Sequence, residues 1–258
     1  MTLPTYVINL DRRPERWRSI FDNLNQIGVT AHRISAIDRL SLAPQANTII
    51  SIGDEACLLS HCKTLNEFLS TSYPAALILE DDAEVASDVP GCLQSIDWWP
   101  RTTGLLQLGI FSEKVRLVGP SIGQTPCGRR LHPILDQSGG TAGYLIDRET
   151  AQIVLNACAV PSMPIDHLLF NMKWSPLARR LKPVQINPAI VRQKYSVFAS
   201  DIAPSRDRMH EGWKISRKKT KIWNRSLYKT RIFGLRLLGK ANRIRIHYSD
   251  ANDLGKIV

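Results

Sequence analysis

The chain opens with Thr5-Tyr6-Val7-Ile8-Asn9-Leu10, a short β-branched and apolar run that predicts a strand. Apolar residues then recur at helical spacing, Trp17, Ile20, Phe21, Leu24 and Ile27, with Pro14 in the first turn and a stop at Gly28. This predicts a helix capped by Asp11. His32 to Asp38 predicts a second strand, and Leu42 to Thr48 a loop. From Ile52, with Asp54 as its cap, a helix carries Leu58, Leu59, Leu65, Phe68 and Leu69 as far as Tyr73-Pro74. Ala75 to Leu79 run without a polar interruption, the pattern of a strand covered on both faces. Beyond it the pattern predicts a short helix from Asp88 to Gln94 and a strand from Leu105 to Ile110. The Gly- and Pro-rich segment Gly119 to Arg130 predicts a loop or hairpin long enough to lie over a site. A glycine-rich turn from Gln137 then leads into a strand at Tyr144 to Asp147, followed by a helix from Arg148 to Ala157 and another opening at Asp166. Strands alternating with helices imply an α/β sandwich with a mostly parallel central sheet.

The apolar run at Ala75 ends in Glu80-Asp81-Asp82-Ala83-Glu84. Carboxylates at the C-terminal end of a buried strand lie where open α/β sheets form their ligand crevice. Like charges this close raise one another's pKa unless a cation or hydrogen bonds offset them. An oxygen-only set suits Mg²⁺ or Mn²⁺, which keep water and bridge to phosphates; a solvated acidic loop is the alternative. Arg12, Arg13 and Arg16 gather at the start of the first helix, where guanidinium forks and free N–H groups suit a diphosphate, or simply form a solvated basic turn. Ser60 and His61, flanked by leucines, read by themselves as a satisfied half-buried pair. Asp166 is either a functional acid favoured by a helix dipole or a plain N-cap.

Charge changes the picture at one end only. The net charge is +11, yet twelve basic residues and no acid fall between Gly212 and Tyr248, which leaves 22 basic against 23 acidic residues elsewhere. The excess belongs to a tail, so the expected division is a catalytic-size domain over 1–205 and a basic amphipathic tail over 206–258. In the tail Tyr228, Ile232, Leu235, Leu238, Ala241 and Ile244 recur at helical steps among Arg225, Lys229, Arg231, Arg236, Lys240 and Arg243, the pattern of a helix on an anionic membrane surface. The five cysteines are scattered without a Cys-x-x-Cys pair, which fits a reducing cytosol better than a disulfide framework. No stretch has the apolar length of a signal peptide core or a transmembrane helix.

Four ordered blocks, YVINLDRRPERW at Tyr6 to Trp17, ACLLSHCKTLNEF with ALILEDDAEV between Ala56 and Val85, GTAGYLIDRETAQ at Gly140 to Gln152, and PIDHLLF at Pro164 to Phe170, resemble glycosyltransferase family 25. That family holds the lipopolysaccharide and lipooligosaccharide galactosyltransferases and relatives of the procollagen galactosyltransferases. The resemblance covers roughly residues 3 to 195 and leaves out the tail. It implies a GT-A-like nucleotide-sugar fold and a metal-dependent, inverting transfer of a hexose, most often galactose, from a UDP-sugar. By the same resemblance Asp82 is the metal ligand, with Mn²⁺ or Mg²⁺ as cofactor, and Glu80 and Asp81 complete the acidic motif on the donor side. Asn9, Leu10, Arg12 and Arg16 lie beside the nucleotide, Ser60 and His61 join the donor site, and Asp166 is the base. Glu113, just past the strand at Leu105 to Ile110, is its reserve. One departure is Ala56, where the family often carries glycine and a larger residue presses on the donor.

The expected partners are thus a UDP-sugar, a glycan or lipid-linked acceptor of cell-surface polysaccharide assembly, and an anionic membrane surface met through the tail. The expected location is cytoplasmic, peripheral on the inner membrane. Two other classes compete. A non-catalytic sugar-nucleotide-binding relative would follow if the acids bound no metal. A nucleic-acid-binding protein is suggested only by the tail, whose Trp213, Trp223, Tyr228 and Phe233 could stack on bases, while the near-neutral body offers no phosphate groove, so no nucleic acid is expected.

Overall fold

The computed structural model of the chain describes residues 2–43, 50–136, 139–194 and 228–251. The rest of the loop expected at Leu42 to Thr48, Gln137 and Ser138, the expected domain boundary at 205, and the basic residues from Lys214 to Arg225 lie outside the described residues. Trp213 and Trp223 do as well.

β1 (Thr5–Asn9), β2 (Ala31–Ser35) and β3 (Ala75–Glu80) lie side by side and parallel in a seven-stranded sheet. The sheet continues through β9 (Gly143–Asp147), β5 (Leu105–Gln107), β10 (Val184–Asn187) and β8 (Arg130–Pro133). Five of these seven strands run one way, and β9 and β8 run against them. The expected mostly parallel sheet is therefore present with two reversed strands.

The uninterrupted apolar run of β3 has its cause in what covers the sheet. Ala75, Leu77 and Leu79 pack into one cluster with Ile20 and Leu24 of α1 (Pro14–Gln26). Ala76 and Ile78 face the other cluster, formed by α2 (Ile52–Leu69), α4 (Arg148–Cys158), α5 (Ile165–Phe170) and α6 (Pro176–Leu181). Successive strand residues point to opposite faces, so burial on both sides demands apolar residues at every position.

Helix ends differ in detail from expectation. Arg13 stands at the cap position of α1 and gives no side-chain cap. Asp11 instead accepts hydrogen bonds from Arg33 and Ser35 and ties the turn to β2. Ser51, not Asp54, caps α2, accepting from the Asp54 N–H while its hydroxyl donates to the Asp54 carboxylate. Pro164 occupies the cap position of α5, which removes the plain N-cap role for Asp166.

The strand expected over Leu105 to Ile110 is split. β5 stays in the large sheet, and β6 (Gly109–Ile110) joins a second sheet with β4 (Ala83–Val85) and β11 (Val191–Gln193). Leu108 serves both, donating to Gly143 O and accepting from Ile190 N. Gly143 must lack a side chain, since an added Cβ would meet Val191 and Leu79 at 2.9 and 3.0 Å.

The amphipathic helix expected in the tail is shorter than its pattern. Residues 228–237 form α7, and Gly239, at φ +65, ends it. Asn242–Ile246 is β12, antiparallel to β7 (Lys114–Val118), so Ala241 and Ile244 do not extend the helical stripe. Asn-Arg-Ile-Arg-Ile alternates with period two, and Ile246 is buried by it. Ser87 then donates to Asp250, and Arg192 lies over the Tyr248 ring at 4.4 Å, which fastens this segment to the body.

The segment Gly119–Arg130 is a structural brace rather than a cover, and none of its residues lines the cleft described below. Its Arg129, 1% exposed, donates to Asp88 through Nε at 2.6 Å and Nη2 at 2.9 Å, next to α3 (Val89–Leu93). Removing one partner strands a buried charge, at about 3 to 5 kcal/mol. Arg129→Met is expected to lose about that much stability in chemical denaturation, and adding Asp88→Asn to recover part of it. A loss below ~1 kcal/mol in the single variant would contradict this.

Candidate active site

β1, β2 and β3 end together, and the turns that leave them build one cleft. Its walls include Leu10, Arg12 and Arg16 after β1, Ala36 to Arg39 after β2, Ala56, Cys57, Ser60 and His61 on α2, and Glu80, Asp81 and Asp82 after β3. This is the crevice position of an open α/β sheet.

The three consecutive acids have three different environments. Asp81, 7% exposed, accepts from Asn9 Nδ2 at 2.8 Å and from Arg16 Nη1 at 3.3 Å. Burial raises its pKa, while Asn9 and Arg16 pull the other way. Its carboxylate locks the end of β3 to the first turn of α1. Asp82 accepts from Gln193 Nε2 at 2.6 Å on Oδ2, while Oδ1 is buried with no hydrogen-bond partner among the described residues. Burial, followed by repulsion from Glu80, pushes its pKa up to about 7. Glu80 takes a short hydrogen bond from Thr141 Oγ1 and has His61 Nε2 at 3.4 Å. An orphaned carboxylate oxygen next to a second carboxylate is the environment that a hard cation satisfies.

The opposite wall is basic. Arg12 pairs with Asp38 at 2.5 Å. Burial opposes ionisation of Asp38, but the bonds from Arg12 and Leu40 N–H hold its carboxyl below the ordinary value. Arg39 also lines the cleft, and its Nε is buried without a hydrogen-bond partner among the described residues. Asn9 is 1% exposed and stands beneath the cleft, donating to Asp81 and to Arg13 O while accepting from Arg33. It positions the site rather than lining it.

Ser60 and His61 both line the cleft, and their hydrogen bonds place them there. Ser60 donates to Ala56 O and accepts from Ile37 N–H, joining α2 to the turn after β2. His61, 1% exposed, shares a 2.9 Å hydrogen bond with the Tyr144 hydroxyl through Nδ1, and the two rings stack at 5.7 Å. Ala56 lies on the wall of the cleft.

Asp166 reaches the same end of the sheet by another route. β9 runs antiparallel to β3, so the turn that opens it lies at the carboxyl end of β3. Gln107 Nε2 donates to Gly139 O and Gly140 O and fixes that turn, in which Gly140 adopts φ +86. Gly140 N–H then donates to Asp166 Oδ2 at 3.4 Å, and the next residue, Thr141, donates to Glu80. Two consecutive residues thus hold the candidate base and the acidic motif. Glu113 is exposed in the turn between β6 and β7, two residues past Phe111, whose Cβ would lie 3.4 Å from a Cβ on Gly140. No described contact brings Glu113 to the acids.

Arg39, Gln193, Gln107 and Cys57 belong to this site without having stood out in the sequence. Gln107 carried the clearest signal, a lone amide in an otherwise apolar strand. Gln193 carried none, since it meets Asp82 across 111 residues.

A family model of glycosyltransferase family 25, described as LPS biosynthesis protein, matches residues 2–169. The chain belongs to that family and is a glycosyltransferase. Lacto-N-neotetraose biosynthesis glycosyltransferase LgtB of Neisseria meningitidis serogroup A is 27% identical over 212 residues, 74% of this chain and 75% of the relative. Lipooligosaccharide biosynthesis protein lic2B of Haemophilus influenzae is 24% identical over 159 residues, 58% of this chain and 57% of the relative. A crystal structure of a glycosyltransferase involved in glycosylation of the major capsid of PBCV-1 covers 81% of this chain and 98% of its own, at 10% identity and a TM-score of 0.43.

Asp82 gives the site a pH signature. A carboxyl whose folded-state pKa lies above its unfolded value favours the fold while protonated, and that contribution disappears as pH rises from about 4 through about 7. In chelator, the contribution of this group to the melting temperature is expected to fall between about pH 4 and pH 7, and Asp82→Asn to flatten the fall. The same slope in both proteins, measured by calorimetry, would contradict the assignment.

Proposed function

We propose that the chain transfers a hexose, most simply galactose, from a UDP-sugar to a hydroxyl of a glycan or lipid-linked acceptor in lipopolysaccharide assembly, with inversion. The observation that carries this reading is the Gly140-Thr141 turn, which ties Asp166 to Glu80 beside the orphaned Oδ1 of Asp82. The names of LgtB and lic2B support the acceptor class.

Asp82, with Glu80 next to it, would hold Mn²⁺ or Mg²⁺, and the buried unpartnered oxygen fits that role. When bound, such an ion supplies positive charge against the diphosphate leaving group. Arg12 and Arg39 line the cleft on the other side and offer guanidinium donors to the same diphosphate. Arg16, held by Asp81, adds fixed positive charge beneath it. Asp166 accepts the proton of the acceptor hydroxyl as that oxygen attacks the anomeric carbon, and the bond to the diphosphate breaks on the opposite face. One displacement of this kind asks for one base and no covalent nucleophile.

The acceptor's membrane is met through α7. Tyr228, Ile232 and Leu235 turn toward the body, with the Tyr228 hydroxyl donating to Leu135 O. Half of the stripe expected to face lipid is therefore used internally. Phe233, Leu237 and Leu238 are 64%, 73% and 69% exposed instead, among Lys229, Arg231, Arg236 and Lys240. Exposed apolar residues ringed by cations suit an anionic bilayer surface. Among the described residues no helix is long and apolar enough to cross a membrane.

With UDP release as the assay, Asp166→Asn is expected to lower turnover by about a hundredfold or more while UDP affinity changes little. If turnover stays within a few-fold of the parent and Glu113→Gln is the damaging variant, the base is Glu113. Because β12 and Tyr248 are packed on the body, the membrane role is best tested by surface substitution rather than truncation. The triple variant Phe233→Ser, Leu237→Ser, Leu238→Ser is expected to stop co-sedimenting with anionic vesicles while keeping its melting temperature. Undiminished sedimentation would remove α7 from this role.

A further inference from the structure

One group of side chains in the cleft has a chemistry that the hard-cation reading does not use. Cys57, His61 and Glu80 each offer a ligand atom, and these atoms lie within 4.8 Å of one another. The two α2 residues are four apart, so one helical face presents them together, and Glu80 comes from the end of β3. His61 is almost completely buried, yet its Nε2 makes no hydrogen bond among the described residues. Its Nδ1 is tethered to the Tyr144 hydroxyl, and the stacked Tyr144 ring fixes its plane.

We infer that Cys57 Sγ, His61 Nε2 and the Glu80 carboxylate form a second cation site in the cleft, one that takes a thiophilic divalent ion such as Zn²⁺ and is separate from the hard-ion position at Asp82. A sulfur and an imidazole nitrogen select borderline-soft metals over Mg²⁺ or Mn²⁺, and three protein ligands leave a fourth tetrahedral position open. Ligation at Nε2 needs the tautomer with Nδ1–H, and the Tyr144 oxygen is placed to accept that hydrogen, the outer contact that metal-bound histidines generally have. Tetrahedral ligands at about 2.0 to 2.3 Å stand nearer to one another than 4.8 Å. Closing that distance falls to Cys57 and Glu80, which are half-buried, whereas His61 is almost completely buried and tethered to Tyr144.

Occupancy has a consequence that rests on the donor reading of the cleft. Glu80 cannot serve a soft ion and the hard-ion site in the same way, so Zn²⁺ would antagonise the donor in place of supporting transfer. The site itself stands without that reading, and its test is independent of activity. Co²⁺ replaces Zn²⁺ in such sites and gives a thiolate charge-transfer absorption when sulfur is bound. Titration of the full chain under reducing conditions is expected to produce that absorption. Cys57→Ala should remove it and weaken Co²⁺ binding at least about tenfold, whereas Asp82→Asn should retain it. Circular dichroism of each variant checks that it is folded. Absence of the band in the parent, its persistence in Cys57→Ala, or its loss in Asp82→Asn would overturn a separate thiolate site.

Discussion

The contact on which the site depends is the one that neutralises Asp81. A carboxylate at the end of a fully covered strand is costly unless it is paired. Asn9 from β1 and Arg16 from α1 both reach it, across 72 and 65 residues respectively. That pairing joins the end of β3 to the first βα turn and frees the two neighbouring acids from structural duty. Glu80 and Asp82 are left with carboxylate oxygens directed to other tasks, one beside His61 and Thr141 and one without a hydrogen-bond partner among the described residues. Three adjacent acids thus divide into one that holds the fold and two that offer chemistry.

A second constraint comes from the reversed strand. Because β9 runs against β3, its opening turn arrives at the carboxyl end of the parallel strands rather than at the far side of the sheet. Gln107 clamps the turn, and Gly143 lets Val191 and Leu79 close on the strand behind it. The glycines of this block are explained by local packing and a left-handed turn, and the turn in its place holds Asp166 and Glu80 through two consecutive residues.

Much of the fold could be read from periodicity, since β1, β3, α1 and α2 bury residues at the spacings that their sequences show. Depth of burial made β3 legible, because a strand covered on both faces leaves no position for a polar residue. The division of labour among Glu80, Asp81 and Asp82 was not legible, since it is set by Asn9, Arg16, Thr141 and Gln193 from distant parts of the chain. The tail shows a different limit. Residues 228–246 satisfy a helical stripe on paper, but Gly239 breaks it and the Arg-Ile alternation beyond fits a strand that β7 is ready to pair. The family resemblance added what local reading withheld about Ser60 and His61, whose hydrogen bonds to Ile37 and Tyr144 look structural in isolation and whose position lines the cleft.

The central claim is that this cleft holds a nucleoside diphosphate against a cation carried by Asp82. Titration calorimetry of the full chain with UDP, in Mn²⁺ and again in chelator, addresses it without an acceptor or a known linkage. Binding in Mn²⁺ that weakens at least about tenfold on chelation, with the same loss in Asp82→Asn, is the predicted result. UDP binding that is absent in Mn²⁺, or equally strong with and without it, would contradict the account.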